Sequence, residues 1–188
     1  PTIGKLYSQR KHQDIASELK SSLFADILQG LFVCLLMYAS YAALPLMGLD
    51  TELLPLIRKY LLILIPSLLI MNLCSGMKCF YDCLTDTRTT MWIVLAGNGC
   101  NIVCNWLLIF GNLGFPEMGI SGAAWATVSS RILMLVLYIG CFLLARRYNI
   151  YRSLWRTAVV TRESLLRHNR LGWPIALQLT IELAAFSG

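Results

Sequence analysis

Four stretches of this chain run the width of a bilayer with no charge, or with one, and that succession constrains the fold more than any motif does. Residues 30–48, 60–77 and 89–116 are free of Asp, Glu, Lys and Arg, and residues 118–145 are interrupted by Arg131 alone. A spanning helix needs roughly 17–25 mostly apolar residues to cross about 30 Å of hydrocarbon. Extended as helices, the windows predict spans at about 22–48, 58–83, 89–111 and 118–145. A fifth apolar stretch starts at Leu171, passes Glu182 and reaches Gly188. Only 14% of residues are charged and 57% are apolar, against roughly 25% charged in a soluble domain. So few charges cannot coat a water-soluble globule, and so much apolar surface excludes disorder. The expected fold is an all-α polytopic membrane protein.

The net charge of +6 does not point to nucleic acid, because the basic residues fill gaps between apolar blocks instead of lining a helix face. Residues 1–21 hold Lys5, Arg10, Lys11 and Lys20, residues 84–90 hold Arg88, and residues 146–171 hold seven arginines. The alternate connections hold Arg58 and Lys59 in residues 49–59 and no basic residue in 111–119. The positive-inside bias therefore places residues 1–21, 84–90 and 146–171 in the cytoplasm. Residues 1–145 read as one helical bundle, 146–170 as a basic linker, and 171–188 as the start of a second bundle, with Pro174 in the first turn of its helix. In the linker, Leu154, Trp155, Val159, Leu165 and Leu166 interleave with arginines; this suits either a helix on an anionic leaflet or a solvated connector. The seven cysteines lie in apolar runs and read as small buried hydrophobes, not as disulfides or metal ligands. The chain opens at Pro1 with no signal-peptide pattern and reads as an internal piece of a longer protein.

Polar side chains within the spans need a partner or a water-filled cavity. Asn98, Asn101 and Asn105 fall at i, i+3 and i+7 of the third span, on one face. They are either interhelical glue or a row of amide oxygens lining a cavity or ligating a cation. In the fourth span Gly122, Ala126 and Ser130 recur every four residues, a face that packs helices closely. Thr127 beside them is either a hydroxyl bonded to the carbonyl one turn back or a ligand beside the asparagine row. Arg131, near mid-depth, is expected to make an ion pair or hydrogen bond inside the bundle, with substrate contact as the alternative. Glu182 follows Gln178 by one turn, well below the membrane surface; desolvation would raise its pKa and let it exchange a proton or bind Na+ instead. Lys78 and Asp82 are spaced for a local salt bridge, Pro66 for a kink, and Asp26 for the headgroup level.

Together these residues resemble the multidrug and toxic compound extrusion (MATE) family. The resemblance rests on Asn101-Ile-Val-Cys-Asn-Trp-Leu-Leu-Ile-Phe-Gly111, on Gly119-Ile-Ser-Gly-Ala-Ala-Trp-Ala-Thr127-Val-Ser-Ser-Arg131, and on Leu171-Gly-Trp-Pro-Ile-Ala-Leu-Gln178 followed by Glu182. Asp86-Thr87-Arg88 matches the family's Asp-Thr-Arg turn, with Leu84-Thr85 where the family often has a small residue and glycine. The likeness covers essentially the whole chain, from the end of the family's second helix to the middle of its seventh. It implies a twelve-helix, two-lobe transporter that exports organic, cationic or amphipathic drugs in exchange for Na+ or H+. It further implies a multi-pass, monomeric protein of the plasma membrane (a bacterial inner membrane), with no cofactor beyond the coupling ion. Asn101, Asn105 and Thr127 match the amino-terminal lobe's cation-site positions, and Glu182 the acidic residue of the seventh helix. Asn98, Gln178 and Arg131 are candidates for the substrate cavity. A lipid-linked saccharide flippase of the same superfamily is the first alternative, although Arg131 alone could supply the cationic residues it would need. An intramembrane enzyme is more remote, since no His lies in a span.

Overall fold

The computed structural model describes residues 12–43, 54–111 and 117–155, with residues 4, 6, 9 and 114 as isolated points. The described residues form helix α1 (His12–Ala43), α2 (Leu54–Cys83), α3 (Thr87–Phe110) and α4 (Ile120–Leu144). A 3₁₀ turn (Arg146–Tyr148) and a short helix α5 (Asn149–Leu154) follow. There is no strand among them. By length and composition, α1 to α4 are each able to cross a membrane. The second apolar bundle predicted from Leu171, with Gln178 and Glu182, lies outside the described residues, as does the linker beyond Trp155.

Helix α1 starts well before the expected residue 22. The charges at 14, 18 and 20 mark residues 12–21 as a connector, yet Ile15, Ala16 and Leu19 recur at helical spacing and are buried. One face of this segment thus packs on the bundle, with Glu18 buried beside it, while Asp14 faces outward. Helix α2 continues through Pro66. A proline lacks the N–H that the carbonyl one turn back would accept. Around that gap Ser67 Oγ donates to Leu64 O at 2.7 Å and Cys34 Sγ of α1 to Ile65 O at 3.1 Å. Helix α3 ends at Gly111, which takes φ 65° as its C-cap, a left-handed conformation open to glycine without steric cost.

The helices do not pack in chain order. α3 lies most extensively against α4, α4 against α2, and α2 against α1, while the consecutive α2 and α3 share only a narrow contact. The spatial row is therefore α1, α2, α4, α3. The buried core gathers at one end of the helices' length, where α1 and α3 start and α2 and α4 finish. It consists of Ile15, Leu19, Cys74, Met77, Phe80, Tyr81, Leu84, Ile93 and Tyr138, joined by Tyr148 and Tyr151 from beyond α4. On their outward faces the helices expose Leu28, Leu31, Phe32, Leu35 and Leu36 on α1, and Ile132, Val136 and Ile139 on α4. Such faces suit hydrocarbon, where lipid tails solvate Leu as well as protein does.

The start of the basic linker is thereby different from a free connector. Tyr148 and Tyr151 are 2% and 4% exposed, and with Trp155 they sit at i, i+3 and i+7, one helical face. Tyr148 packs edge-on to Tyr81, Tyr151 edge-on to Phe80, and Trp155 edge-on to Phe142. His12 Nδ1 lies 3.2 Å from Tyr151 Oη, which ties α5 to the start of α1.

Candidate functional site in the α3–α4 interface

Small residues let α3 and α4 approach closely. A Cβ placed on Gly122 would lie 2.5 Å from Leu108 O and 2.7 Å from its carbonyl carbon, and one on Gly97 would run into the Met134 side chain. The same carbonyl of Leu108 accepts the Met118 N–H at 3.0 Å and so closes the hairpin. This antiparallel register sets Gly97 beside Met134, Asn101 beside Ser130 and Leu108 beside Gly122. Asn105 falls between the last two pairs, level with Ala126 and Thr127.

A chain of hydrogen bonds runs through that register. Asn105 Nδ2 donates to Asn101 Oδ1 at 3.0 Å, Asn101 Nδ2 to Ser130 Oγ at 3.4 Å, and Ser130 Oγ to Thr127 O at 2.9 Å. Thr127 Oγ1 donates to Ala123 O at 3.0 Å. This is the back-bonded state, and it leaves the hydroxyl's lone pairs as acceptors. The free end of the chain is Asn105 Oδ1, which is buried and has no hydrogen-bond partner. Leaving a buried acceptor unsatisfied costs about 1–3 kcal/mol, and a cation or an N–H or O–H donor would relieve that cost. Among the described residues no three of His, Cys, Asp and Glu come together as a metal site. The oxygen donors here suit a hard cation.

The predicted site residues separate in space. Asn101 bonds across to α4 and Asn105 bonds to Asn101 along α3, but Asn98 lies on the exposed side of α3. One turn before Asn101 the tightly packed position is Gly97, so the asparagine row straddles the edge of the interface. Arg131 turns the other way, donating from Nη1 to Ser67 Oγ of α2, while its backbone carbonyl accepts from Cys74 Sγ at 3.6 Å. It makes the expected hydrogen bond inside the bundle. Lys78 and Asp82 form no ion pair with each other; they line a shallow groove on α2 with Ser75, Cys79 and Cys83. Asp26 is buried in the α1–α2 contact beside Gly76, not turned outward. Ser130 and Ser67 were legible only as a small residue and as a neighbour of a proline. Their roles arise from which helix each faces, and spacing along one helix does not carry that information.

At the core end, Asp86 occupies the N-cap position of α3. It accepts from Tyr148 Oη and from Thr89 Oγ1, and lies 3.8 Å from Arg147 Nη1. Burial opposes ionisation of this carboxyl. The hydrogen bonds from Tyr148 and Thr89 and the Arg147 charge outweigh it and hold the group below the usual carboxylate range. Burial, then the Asp86 contact, pushes the Tyr148 phenol upward. Thr85 enters the turn at φ 61°, the left-handed region that glycine favours.

The family model MatE matches residues 1–107. The chain is 30% identical over 184 residues to "Probable multidrug resistance protein NorM" of Photorhabdus laumondii, covering 96% of this chain and 40% of that protein. It is 30% identical over 192 residues to the protein of the same name from Mesorhizobium japonicum, covering 100% and 40%. Against that of Bacillus anthracis it is 26% identical over 191 residues, covering 100% and 42%. The chain thus spans about two-fifths of the length of these curated relatives. A solved structure titled an inward-facing conformation of a multidrug resistance MATE family transporter of the MOP superfamily superposes with a TM-score of 0.78. It is 22% identical and covers 92% of this chain and 38% of its own. The close α3–α4 packing, the asparagine helix after Asp86-Thr87-Arg88 and the fold agree with the match along the chain. This chain belongs to the MatE family.

Proposed function

We propose that the intact protein is a cation-coupled antiporter that exports organic, cationic or amphipathic small molecules across the plasma membrane in exchange for Na+ or H+. In this reading α1 to α4 belong to its amino-terminal lobe. The observation that carries it is the buried, unpartnered Asn105 Oδ1 at the end of an ordered amide chain, between two membrane-length helices. Structural glue would satisfy both ends of each amide, whereas a site for a cation keeps an oxygen open. The names of the relatives support multidrug efflux as the overall activity.

Asn101, Asn105 and Thr127 would supply neutral oxygens to the cation, and Glu182, which lies outside the described residues with Gln178 one helical turn before it in sequence, would supply the ionisable group. Ion and drug would favour opposite-facing states, so that binding of each promotes release of the other. One charge moving through 100 mV supplies about 2.3 kcal/mol, a bias of roughly fifty-fold. A flippase for lipid-linked saccharides would need cationic side chains gathered in the cavity, and Arg131 is committed to Ser67. In the intact protein, Glu182→Gln is expected to abolish coupled efflux with folding and insertion unchanged, and Asn105→Ala to raise the cation concentration needed for half-maximal efflux. Normal drug resistance in Glu182→Gln cells, with Asn105→Ala equally inert, refutes the assignment.

A further inference from the structure

We propose that Ser130 is a positioning residue that sets the polarity of the amide chain, so that the chain ends on an oxygen and receives a cation or a hydrogen-bond donor, not an anion. The inference rests on the reading of Asn101 and Asn105 as ligands and adds what makes them so.

An asparagine amide is ambivalent, since one end accepts and the other donates. Two of them in series can run in either direction, and the direction decides which end is left free. In this bundle the choice is made outside α3. The Ser130 hydroxyl has one proton, which it gives to Thr127 O at 2.9 Å, the usual local bond of a helical serine. Toward Asn101 it can then only accept, and Asn101 must turn its NH2 to it. Asn101 Oδ1 consequently faces Asn105 and takes the Asn105 NH2 at 3.0 Å. Asn105 is left with its oxygen free, and that is the atom without a partner.

Reversal would require Ser130 to withdraw its proton from the Thr127 carbonyl and give it to Asn101. Ser130 is 5% exposed, in a span where little water could replace the lost bond. A reversed chain would end on an NH2 group and repel a cation. A serine hydroxyl on α4, with no need to touch the ligand, thus fixes the sign of the ligand that α3 accepts.

The test uses the intact protein in proteoliposomes and reads the coupling-cation concentration for half-maximal ethidium efflux (Na+ at fixed pH, or the acid limb of the pH profile). Ser130→Ala removes the hydroxyl with little change of volume and should raise that concentration roughly five-fold. Ser130→Thr keeps the hydroxyl and its local bond and should restore the parent value. Ser130→Cys, close in size and a weaker hydrogen-bonding group, should shift it in the same direction by less; it carries the test if the alanine variant fails to accumulate. An unchanged cation dependence in Ser130→Ala or Ser130→Cys beside an impaired Asn105→Ala overturns the role of Ser130 and leaves the cation site standing. Loss without rescue in Ser130→Thr also overturns it, since packing and not the hydroxyl would then matter. If Asn105→Ala itself behaves as the parent, the cation-site reading fails first.

Discussion

Replacing Gly122 by alanine tests the α3–α4 approach on which the site depends. The added methyl would meet Leu108 O at 2.5 Å, its carbonyl carbon at 2.7 Å and Ile109 N at 3.1 Å. Carbon atoms settle at about 3.5–4.0 Å from their neighbours, so the helices must part locally by roughly 1 Å. All three atoms are backbone and no rotamer change can relieve the contact. Parting also strains the Met118 N–H to Leu108 O bond that closes the hairpin. Overpacking of this kind costs about 1–3 kcal/mol, and a weakened hydrogen bond adds about 1 kcal/mol. Two glycines of the neighbouring helix serve as references. Gly97→Ala meets the Met134 side chain, whose flexible thioether can repack at smaller cost. Gly99→Ala meets nothing within 4 Å and gains up to about 1 kcal/mol of helix propensity. Thermal unfolding of the intact protein in one detergent should rank Gly99→Ala at or above the parent, Gly97→Ala below it, and Gly122→Ala lowest. A Gly122→Ala protein as stable as Gly99→Ala would show that the helices do not touch at Leu108, and the register behind Asn101 and Ser130 would fall with it.

Two further predictions concern the turn between α2 and α3. Thr85 holds φ 61° at a strain of about 1–2 kcal/mol, so Thr85→Gly should keep or raise the melting temperature despite glycine's greater freedom when unfolded; a clear drop would contradict the strain. Asp86→Asn should lower the melting temperature at pH 7 by loosening Tyr148, Thr89 and Arg147. Because the folded carboxyl has the lower pKa, its stabilisation is complete above the unfolded value of about 3.9 and is lost as pH falls through the folded one. The gap between parent and variant should therefore be flat through the neutral range and close in acid, and a gap that persists at the acid end would contradict the account.

The charge-free windows at 60–77 and 89–116, and the window at 118–145 broken by Arg131 alone, overlap α2, α3 and α4 because in lipid every backbone group bonds within its own helix, so apolar length alone marks a span. Charge counting misses the start of α1, where an amphipathic segment packs on the bundle core through Ile15, Ala16 and Leu19 while Asp14 faces outward. It also misses the start of the linker, where the same residues read as a basic connector and fold as an aromatic face on Phe80 and Tyr81. Asn101 and Asn105 were legible as a polar stripe. Ser130 was not, because its meaning comes from the register between two helices and from the single proton of a hydroxyl. The mismatch with the family at Leu84-Thr85 was visible in sequence, and Thr85 takes there the left-handed φ that glycine adopts without steric cost.

The coupling we propose for the intact protein can be read from ethidium efflux out of vesicles that hold it while Na+ and pH gradients are imposed separately. Efflux should accelerate when one of the two cations flows down its gradient against the drug, and stop when that gradient is dissipated. Efflux at one rate whatever the direction or presence of either gradient would contradict cation coupling.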